Sequence, residues 1–301
     1  MIPLPNECLF EIFTYLRAYY RCLFSCLLVN RQWCMNVVPI LWSSPLSYFE
    51  DKRLIRIYLL SLNDEEQAPL IPLKIMPLNN QKPLFQYTTY TRYICCYGLI
   101  QGIVNFLNCD EYNKPCSLYE KVQVIKCSLI TMFLRTSRKL EYLSIQGLIN
   151  NKIMNSLTGY FYENSSVTHL NFYKNQFNFE EINALAEVLY KDTTLNSLSF
   201  NNINLGTEGI KIITNALCEN KTLVSFSYRY SQLNFEEVKA FAEVLSKNTF
   251  LTSLDLRKNQ LGPEAGKILA NALCKNNVLT LLDLNNNKLG HEGGKVLAEA
   301  L

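Results

Sequence analysis

A period of 28 residues governs the C-terminal half of this chain. Val167, Leu195, Leu223, Leu251 and Leu279 stand 28 residues apart; three places on come Leu170, Leu198, Phe226, Leu254 and Leu282. Two places beyond those come Phe172, Phe200, Tyr228, Leu256 and Leu284. Asn175, Asn259 and Asn287 then hold a fixed place, with Ile203 and Ser231 in the middle copies. The alternation predicts a short strand with one buried face. The Asn is placed to hydrogen-bond the backbone where the chain turns away. Each copy then predicts a helix, because Leu185, Val188 and Leu189, and likewise Ile213, Ala216 and Leu217, follow the i, i+3, i+4 spacing of one apolar face. Asn178 with Glu181, and Asn234 with Glu237, read as capping boxes. Pro263 falls early in a helix, where a missing N–H costs nothing. One copy cannot shield its own apolar face, so neighbours must stack.

The pattern L-x-x-L-x-L-x-x-N resembles the leucine-rich repeat. The resemblance implies an α/β solenoid, a horseshoe with about 28 residues per β-α repeat. A second rhythm of 56 residues relates Phe177–Leu189 to Leu233–Leu245 and Leu205–Asn220 to Leu261–Asn276, with Cys218 and Cys274 at matching places. Such alternation is similar to the ribonuclease-inhibitor class. Leu140, Leu143 and Ile145 form an imperfect first copy, with Leu148 where Asn would stand, so the repeats are expected over residues 139–301. The sequence ends on a repeat helix with no polar closing segment. The expectation is therefore that Leu282, Leu284, Val296 and Leu297 are partly uncovered, and that the natural protein continues or this edge meets another chain.

Residues 1–43 read differently. Leu9, Ile12, Phe13 and Leu16 make one helical stripe behind a predicted cap at Asn6. A second apolar set, Leu23, Leu27, Leu28 and Val29, runs into Asn30-Arg31-Gln32-Trp33, and a third ends at Pro39-Ile40-Leu41-Trp42. Three short helices in about forty residues cannot bury all their large apolar side chains, and the face left over invites a partner. The order L-P-x-E-x-L-x-x-I-F-x-Y-L, L-V-N-R-Q-W, P-I-L-W resembles an F-box. It matches at Leu4, Pro5, Glu7, Leu9, Ile12, Phe13, Leu16, Val29, Arg31, Trp33, Leu41 and Trp42, and departs at Arg17–Arg21, where Tyr19 and Tyr20 replace acidic and polar turn residues. The resemblance implies docking onto the Skp adaptor, and through it the cullin scaffold, of an SCF ubiquitin ligase. The residues it assigns to that contact are Leu4, Pro5, Leu9, Ile12, Phe13, Leu16, Leu27, Val29, Trp33, Leu41 and Trp42.

Residues 44–138 read as a helical, partly irregular linker. A helix is predicted from about Asp51 to Leu62, another start at Asp64-Glu65-Glu66, and an irregular stretch at Pro69, Pro72, Pro77 and Pro83. Tyr90–Leu107 reads as a helix and Leu118–Leu134 as a strand followed by a helix.

Composition narrows the function. A net charge of +3 and a pI near 8.2 are too mild for a nucleic-acid groove or a polybasic membrane patch. No run reaches the ~18 apolar residues of a membrane helix, and Glu7 and Glu11 interrupt the first apolar stretch, so no signal peptide is read. The 11 cysteines lack a disulfide framework and read as reduced thiols of a cytoplasmic or nuclear protein. Cys95, Cys96, Cys109, Cys116 and Cys127 lack the paired spacing of a zinc site, so no metal and no cofactor are expected. The two histidines, His169 and His291, fall in different repeats and suggest no catalytic arrangement. The glycines read as repeat turns and helix starts.

Between the buried positions of each strand lie residues facing the concave side. They form three columns: Tyr142, His169, Ser197, Ser225, Ser253, Leu281; Ser144, Asn171, Ser199, Ser227, Asp255, Asp283; and Gln146, Tyr173, Asn201, Arg229, Arg257, Asn285. Tyr142, His169, Tyr173, Asn201, Arg229, Asp255, Arg257, Asp283 and Asn285 are the residues expected to meet a target protein, Tyr and Arg being favoured hot-spot residues. The leading reading is a non-enzymatic substrate adaptor. Alternatives are a repeat scaffold or inhibitor uncoupled from ubiquitination, and a GTPase-activating regulator, for which no catalytic arginine loop is identifiable.

Overall fold

A computed structural model describes residues 4–45, 52–75, 83, 85–107, 115–163, 166–191 and 194–300. Asp51, Pro77 and Cys109 lie outside the described residues, as does the side chain of Cys116. The chain forms two compact units, Met1–Tyr142 and Leu143–Leu301.

The first unit opens with three short helices, α1 (Asn6–Tyr15), α2 (Tyr20–Leu27) and α3 (Arg31–Leu41). Asn6 does not cap α1; Pro5 holds that position without a side-chain bond. The Asn6 Oδ1 instead accepts from Asn36 Nδ2 at 3.0 Å and Gln32 Nε2 at 3.1 Å, tying α1 to α3. Asn30 supplies the working cap, its Oδ1 accepting from the Trp33 N–H at 2.8 Å, so Arg31-Gln32-Trp33 starts α3. Further on come α4 (Lys52–Leu59) and α5 (Asp64–Gln67), the latter opened by an Asn63/Glu66 capping box. The buried Glu66 carboxylate also accepts from Arg135 Nε at 2.7 Å and Nη2 at 2.8 Å, so one acid serves both a helix start and an ion pair.

Two linker expectations need correction. Residues 90–107 are not one helix: a 3-10 turn (Tyr87–Tyr90) and a strand, β1 (Tyr93–Cys95), precede α6 (Cys96–Leu107). Tyr93-Ile94-Cys95 alternates with only Ile94 sealed, which suits a strand. Residues 118–134 are not strand then helix but lie within one helix, α7 (Pro115–Thr136). Its buried set of Val122, Ile125, Leu129, Ile130, Met132 and Phe133 is dense enough to hide a helical period from a short window.

In the second unit strand and helix alternate as expected for an α/β solenoid. The pairs are β2 (Tyr142–Gln146) with α8 (Asn151–Glu163), β3 (His169–Tyr173) with α9 (Phe179–Lys191), and β4 (Ser197–Asn201) with α10 (Gly206–Glu219). Then come β5 (Ser225–Arg229) with α11 (Phe235–Lys247), β6 (Ser253–Asp255) with α12 (Gly262–Leu273), and β7 (Leu281–Asp283) with α13 (Gly290–Ala300). Strands β3 to β7 pair in parallel with a register of 28, for example Leu170 with Leu198 and Leu198 with Phe226. Both expected capping boxes form: Asn178 Oδ1 accepts from the Glu181 N–H at 2.9 Å, and Asn234 with Glu237 repeats the arrangement. Helices α10, α12 and α13 start instead on Gly206, Gly262 and Gly290, all at positive φ. The two-repeat alternation therefore ends at α13.

The fixed asparagines close the loops after the strands. Asn259 Nδ2 donates to the carbonyls of Tyr228 at 2.6 Å and Leu256 at 3.0 Å, while its Oδ1 accepts from the Ser231 N–H at 2.8 Å. Asn287 does the same one repeat on, with the Leu256 and Leu284 carbonyls and the Asn259 N–H. Ile203 cannot take part. Its own backbone is served from the next repeat: the Tyr228 hydroxyl donates to the Ile203 carbonyl at 2.8 Å and accepts from the Leu205 N–H at 3.3 Å, and the Ser231 Oγ accepts from the Ile203 N–H at 3.2 Å. Between β3 and β4 aromatic packing does the joining, with Phe172 stacked on Phe200 at 5.6 Å and Phe177 edge-on to Phe172 at 5.1 Å.

Not all glycines serve turns. Gly266 and Gly293 lie inside α12 and α13, and a Cβ on Gly266 would meet the Gly293 Cα at 2.9 Å. The closeness of these helices accounts for Leu297, which is buried rather than partly uncovered. Leu282, Leu284 and Val296 are half-buried, as expected.

Burial pushes the Tyr228 phenol from its ordinary value of 10.0 up to about 12. Because the folded value is the higher one, the stabilisation is complete below pH about 10 and is lost as pH rises towards about 12. Tyr228→Phe, which leaves the Ile203 carbonyl and Leu205 N–H without their partner, should cost about 1–3 kcal/mol near neutrality. It should also make the alkaline fall in stability shallower, as measured by urea denaturation across pH 8 to pH 12.

Candidate protein-interaction surfaces

In the first unit the predicted adaptor-contact residues divide between a core and a surface. Leu9, Phe13, Leu23, Val37 and Ile40 form a buried cluster, with Leu16, Leu27, Trp33 and Leu41 packed partly against it. The Phe13 and Trp33 rings meet edge-on at 5.0 Å. Leu9 and Phe13 are only 3% and 1% exposed, so no partner can touch them on this surface. They fix the angles between the helices from within. Trp42 is half-buried, stacked on Tyr87 at 4.1 Å and edge-on to Tyr58 at 6.0 Å. Leu4, Pro5, Ile12 and Val29 remain exposed. The structure adds Phe24, Leu28 and Met35 to this apolar exposure.

In the second unit the strand register brings the predicted concave residues into their columns. His169 stands beside Ser197, Asn171 beside Ser199, and Tyr173 beside Asn201 and, one strand on, Arg229. His169 and Asn285 are exposed; Tyr142, Tyr173, Asn201, Arg229, Arg257 and Asp283 are half-buried. Asp255 is different. At 6% exposed it is no contact residue but the counter-ion that organises two arginines. Its Oδ2 lies 2.6 Å from Arg229 Nη2 and 2.9 Å from Arg257 Nη2, and its Oδ1 accepts from the Arg257 backbone N–H at 3.0 Å. Arg257 Nε reaches Asp283 at 3.1 Å, completing a four-residue network. The hydrogen bond that the Arg257 guanidinium donates to Asp255, first, and then the charge of that carboxylate hold the guanidinium above its usual range. Pairing this close and partly desolvated fixes the arginine heads in position, which an isolated surface pair does not.

Residues 247–270 and 275–298 match a family model described as "Leucine Rich repeat". These segments are leucine-rich repeats. They cover the last two strand–helix units, and the register of 28 carries the same geometry back to β3. Among solved structures, "Leiomodin-1 Actin-Binding Site 2 (ABS2)" is similar at 24% identity with a TM-score of 0.35, covering 42% of this chain and 73% of that chain. No curated protein matches the sequence. Among the described residues no group of three or more His, Cys, Asp or Glu side chains could hold a metal ion, and no helix is long and apolar enough to cross a membrane.

The repeats carry a second asparagine row that the sequence reading does not single out. Asn220, Asn248 and Asn276 sit where each helix turns into the next strand, and each Nδ2 donates to a carbonyl 31 residues earlier, Leu189, Leu217 and Leu245. Each Oδ1 accepts from the backbone N–H three places on, at Leu223, Leu251 and Leu279. Their spacing of 28 was the available signal.

Asp255→Ala would leave two neighbouring guanidinium groups without their shared carboxylate. It should lower stability by about 1–3 kcal/mol, read as a shift of the urea midpoint, while Asp283→Ala, at the more open end of the network, should cost less. Equal midpoints for wild type and Asp255→Ala would contradict the organising role given to it.

Proposed function

We propose that this chain is a substrate-recognition adaptor of an SCF-type ubiquitin ligase. Residues 1–43 serve as the F-box that docks on the Skp adaptor, residues 44–138 as a spacer, and residues 139–301 as the repeats that hold a target protein. The observation that carries the reading is the apolar surface left on α1–α3, where Leu4, Ile12, Phe24, Leu28, Val29 and Met35 are all more than half or nearly half exposed. Large apolar side chains left exposed in that number are a poor ending for a helical piece in water and a good beginning for an interface. The F-box resemblance, which matches at Leu4, Ile12 and Val29 among these, says which partner that interface suits. Leu9, Phe13 and Trp33 support it by setting the helix angles, and Ile12 and Val29 meet the adaptor directly.

The chain itself performs no chemistry in this reading. It holds two proteins close, so that a transfer reaction carried by other subunits acts at a raised effective concentration of target. The concave columns supply the target contacts: Tyr173, Arg229 and Arg257 as anchors, with His169, Asn201, Asp283 and Asn285 around them and Tyr142 at the start of β2. Protein-interaction scaffolding is the role that leucine-rich repeats suggest, and the fixed arginine heads suit it.

Substituting Leu9 or Phe13 tests folding before it tests docking. The cleaner variant is Ile12→Asp with Val29→Asp, which changes exposed positions only. Affinity for purified Skp adaptor should drop at least ~100-fold, with helix content and melting temperature unchanged. Binding as tight as wild type would end the ligase reading.

A further inference from the structure

Each repeat leaves its strand through a loop in which one buried residue sits between two exposed ones. Lys174 and Gln176 flank Asn175, Asn202 and Asn204 flank Ile203, and Tyr230 and Gln232 flank Ser231. These three loops line an open cleft of about 510 Å³. The next two loops extend the row with Lys258 and Gln260, then Asn286 and Lys288. No Asp or Glu occurs in residues 173–179, 201–207, 229–235, 257–263 or 285–291.

Of the nearby acids, Glu180 and Glu292 stand exposed on the first turns of α9 and α13, at the two ends of the row, and the others are engaged elsewhere. Glu208, Glu236 and Glu264, on the first turns of the helices, pair with Lys211, Lys239 and Lys267 at 2.9, 2.8 and 2.8 Å. Glu181 and Glu237 are buried in their capping boxes. Asp255 and Asp283 are held by Arg229 and Arg257. The loop lysines have neutral neighbours. Lys258 Nζ donates to the Tyr230 hydroxyl at 2.6 Å and lies 4.5 Å from its ring centre. Lys288 donates to Gln260 Oε1 at 3.2 Å, and Lys174 lies 5.2 Å from the centre of the Tyr173 ring. The rim is therefore positive and amide-rich in a chain whose net charge is only +3.

We infer that this rim docks an extended, acidic polypeptide segment. Its carboxylates meet Lys174, Lys258 and Lys288, and its peptide groups meet the amides of Gln176, Asn204 and Gln232. A side-chain amide offers a donor and an acceptor together, the same pair a peptide group presents. The dimensions agree. Neighbouring strands lie about 4.8 Å apart, so Lys174 and Lys288, four repeats apart, are separated by roughly 19 Å. A strand rising about 3.3 Å per residue covers that distance in about six residues. Nucleic acid suits the row less well: three lysines over that length are few against one charge per ~1.7 Å of duplex, and Tyr230 alone makes no stacking platform in the cleft. The inference rests on the protein-binding reading of the repeats and is independent of the ligase reading of α1–α3.

The test is fluorescence anisotropy at low salt with the full chain. The probes are a labelled peptide of about ten alternating Glu and Ser residues, long enough to cover the ~19 Å row with residues to spare at each end, its Gln/Ser and Lys/Ser counterparts, and an oligothymidylate of similar length. The Glu/Ser peptide should bind, the Gln/Ser and Lys/Ser peptides should bind at least ~10-fold more weakly, and Lys174→Glu with Lys258→Glu should weaken the Glu/Ser peptide by ~10-fold or more. Both lysines are exposed, and an unchanged melting temperature shows that the variant is folded. The inference is overturned if the Glu/Ser peptide does not bind, if Gln/Ser binds equally well, if oligothymidylate binds as tightly, or if the double variant is indifferent. Proximity labelling with and without alanine at Tyr173, Arg229 and Arg257 separates the two readings. A changed set of labelled proteins beside a failed peptide overturns only the acidic-segment inference; an unchanged set beside a failed peptide overturns protein binding by the repeats as well.

Discussion

The repeat unit depends on buried side-chain amides doing what the backbone cannot do for itself. A chain that turns sharply after a three- to five-residue strand leaves carbonyls and N–H groups inside the stack, where an unpaired polar group costs about 1–3 kcal/mol. Asn259 and Asn287 meet this need at one end of the strands, and Asn220, Asn248 and Asn276 at the other. In each case the carbonyl partner lies 31 residues back, in the preceding repeat. The fold is thus cooperative through its polar groups as well as through its leucines. A repeat on its own would leave these amides and their partners to water.

Much of this was legible in the residues. A spacing of 28 gives the strands, their register and the helix starts at Asn178 and Asn234, because strand alternation and capping are local properties of a few neighbouring residues. The role of Tyr228 was not legible. It occupies an ordinary buried strand position, and its hydroxyl serves the backbone of Ile203 and Leu205, 25 and 23 residues away, which no local pattern announces. Asp255 misleads for a related reason: a strand pattern says which face a side chain leaves from, but not that two arginines will fold over it. In the linker, β1 and α7 were misread because short apolar runs carry no period of their own. Of the candidate adaptor face, the sequence identified the apolar residues but could not divide Leu9 and Phe13, which are sealed, from Ile12 and Val29, which are open. That division follows from helix packing, which needs three elements at once.

The two kinds of surface on this chain are prepared in opposite ways. On α1–α3 the notable exposed groups are apolar, Ile12, Phe24 and Met35 among them, and removing such groups from water is favourable. On the repeats the exposed groups are cations and amides held by acids and rings of the protein itself, as Arg257 is held by Asp255 and Lys258 by Tyr230. Fixing such heads before a partner arrives lowers the ordering cost of binding.

The junction between β3 and β4 differs in kind from the two that Asn259 and Asn287 close. Where Asn259 and Asn287 stitch their loops with amide hydrogen bonds, here Phe172, Phe177 and Phe200 are pressed together beside an isoleucine that offers no polar atom. Attraction between aromatic rings in water weakens on cooling, whereas hydrogen-bonded joints carry no such dependence on apolar hydration. The grip of this joint therefore follows temperature differently from that of the two amide-stitched joints. Cooling is expected to weaken the side-chain contribution at this joint more than at those two.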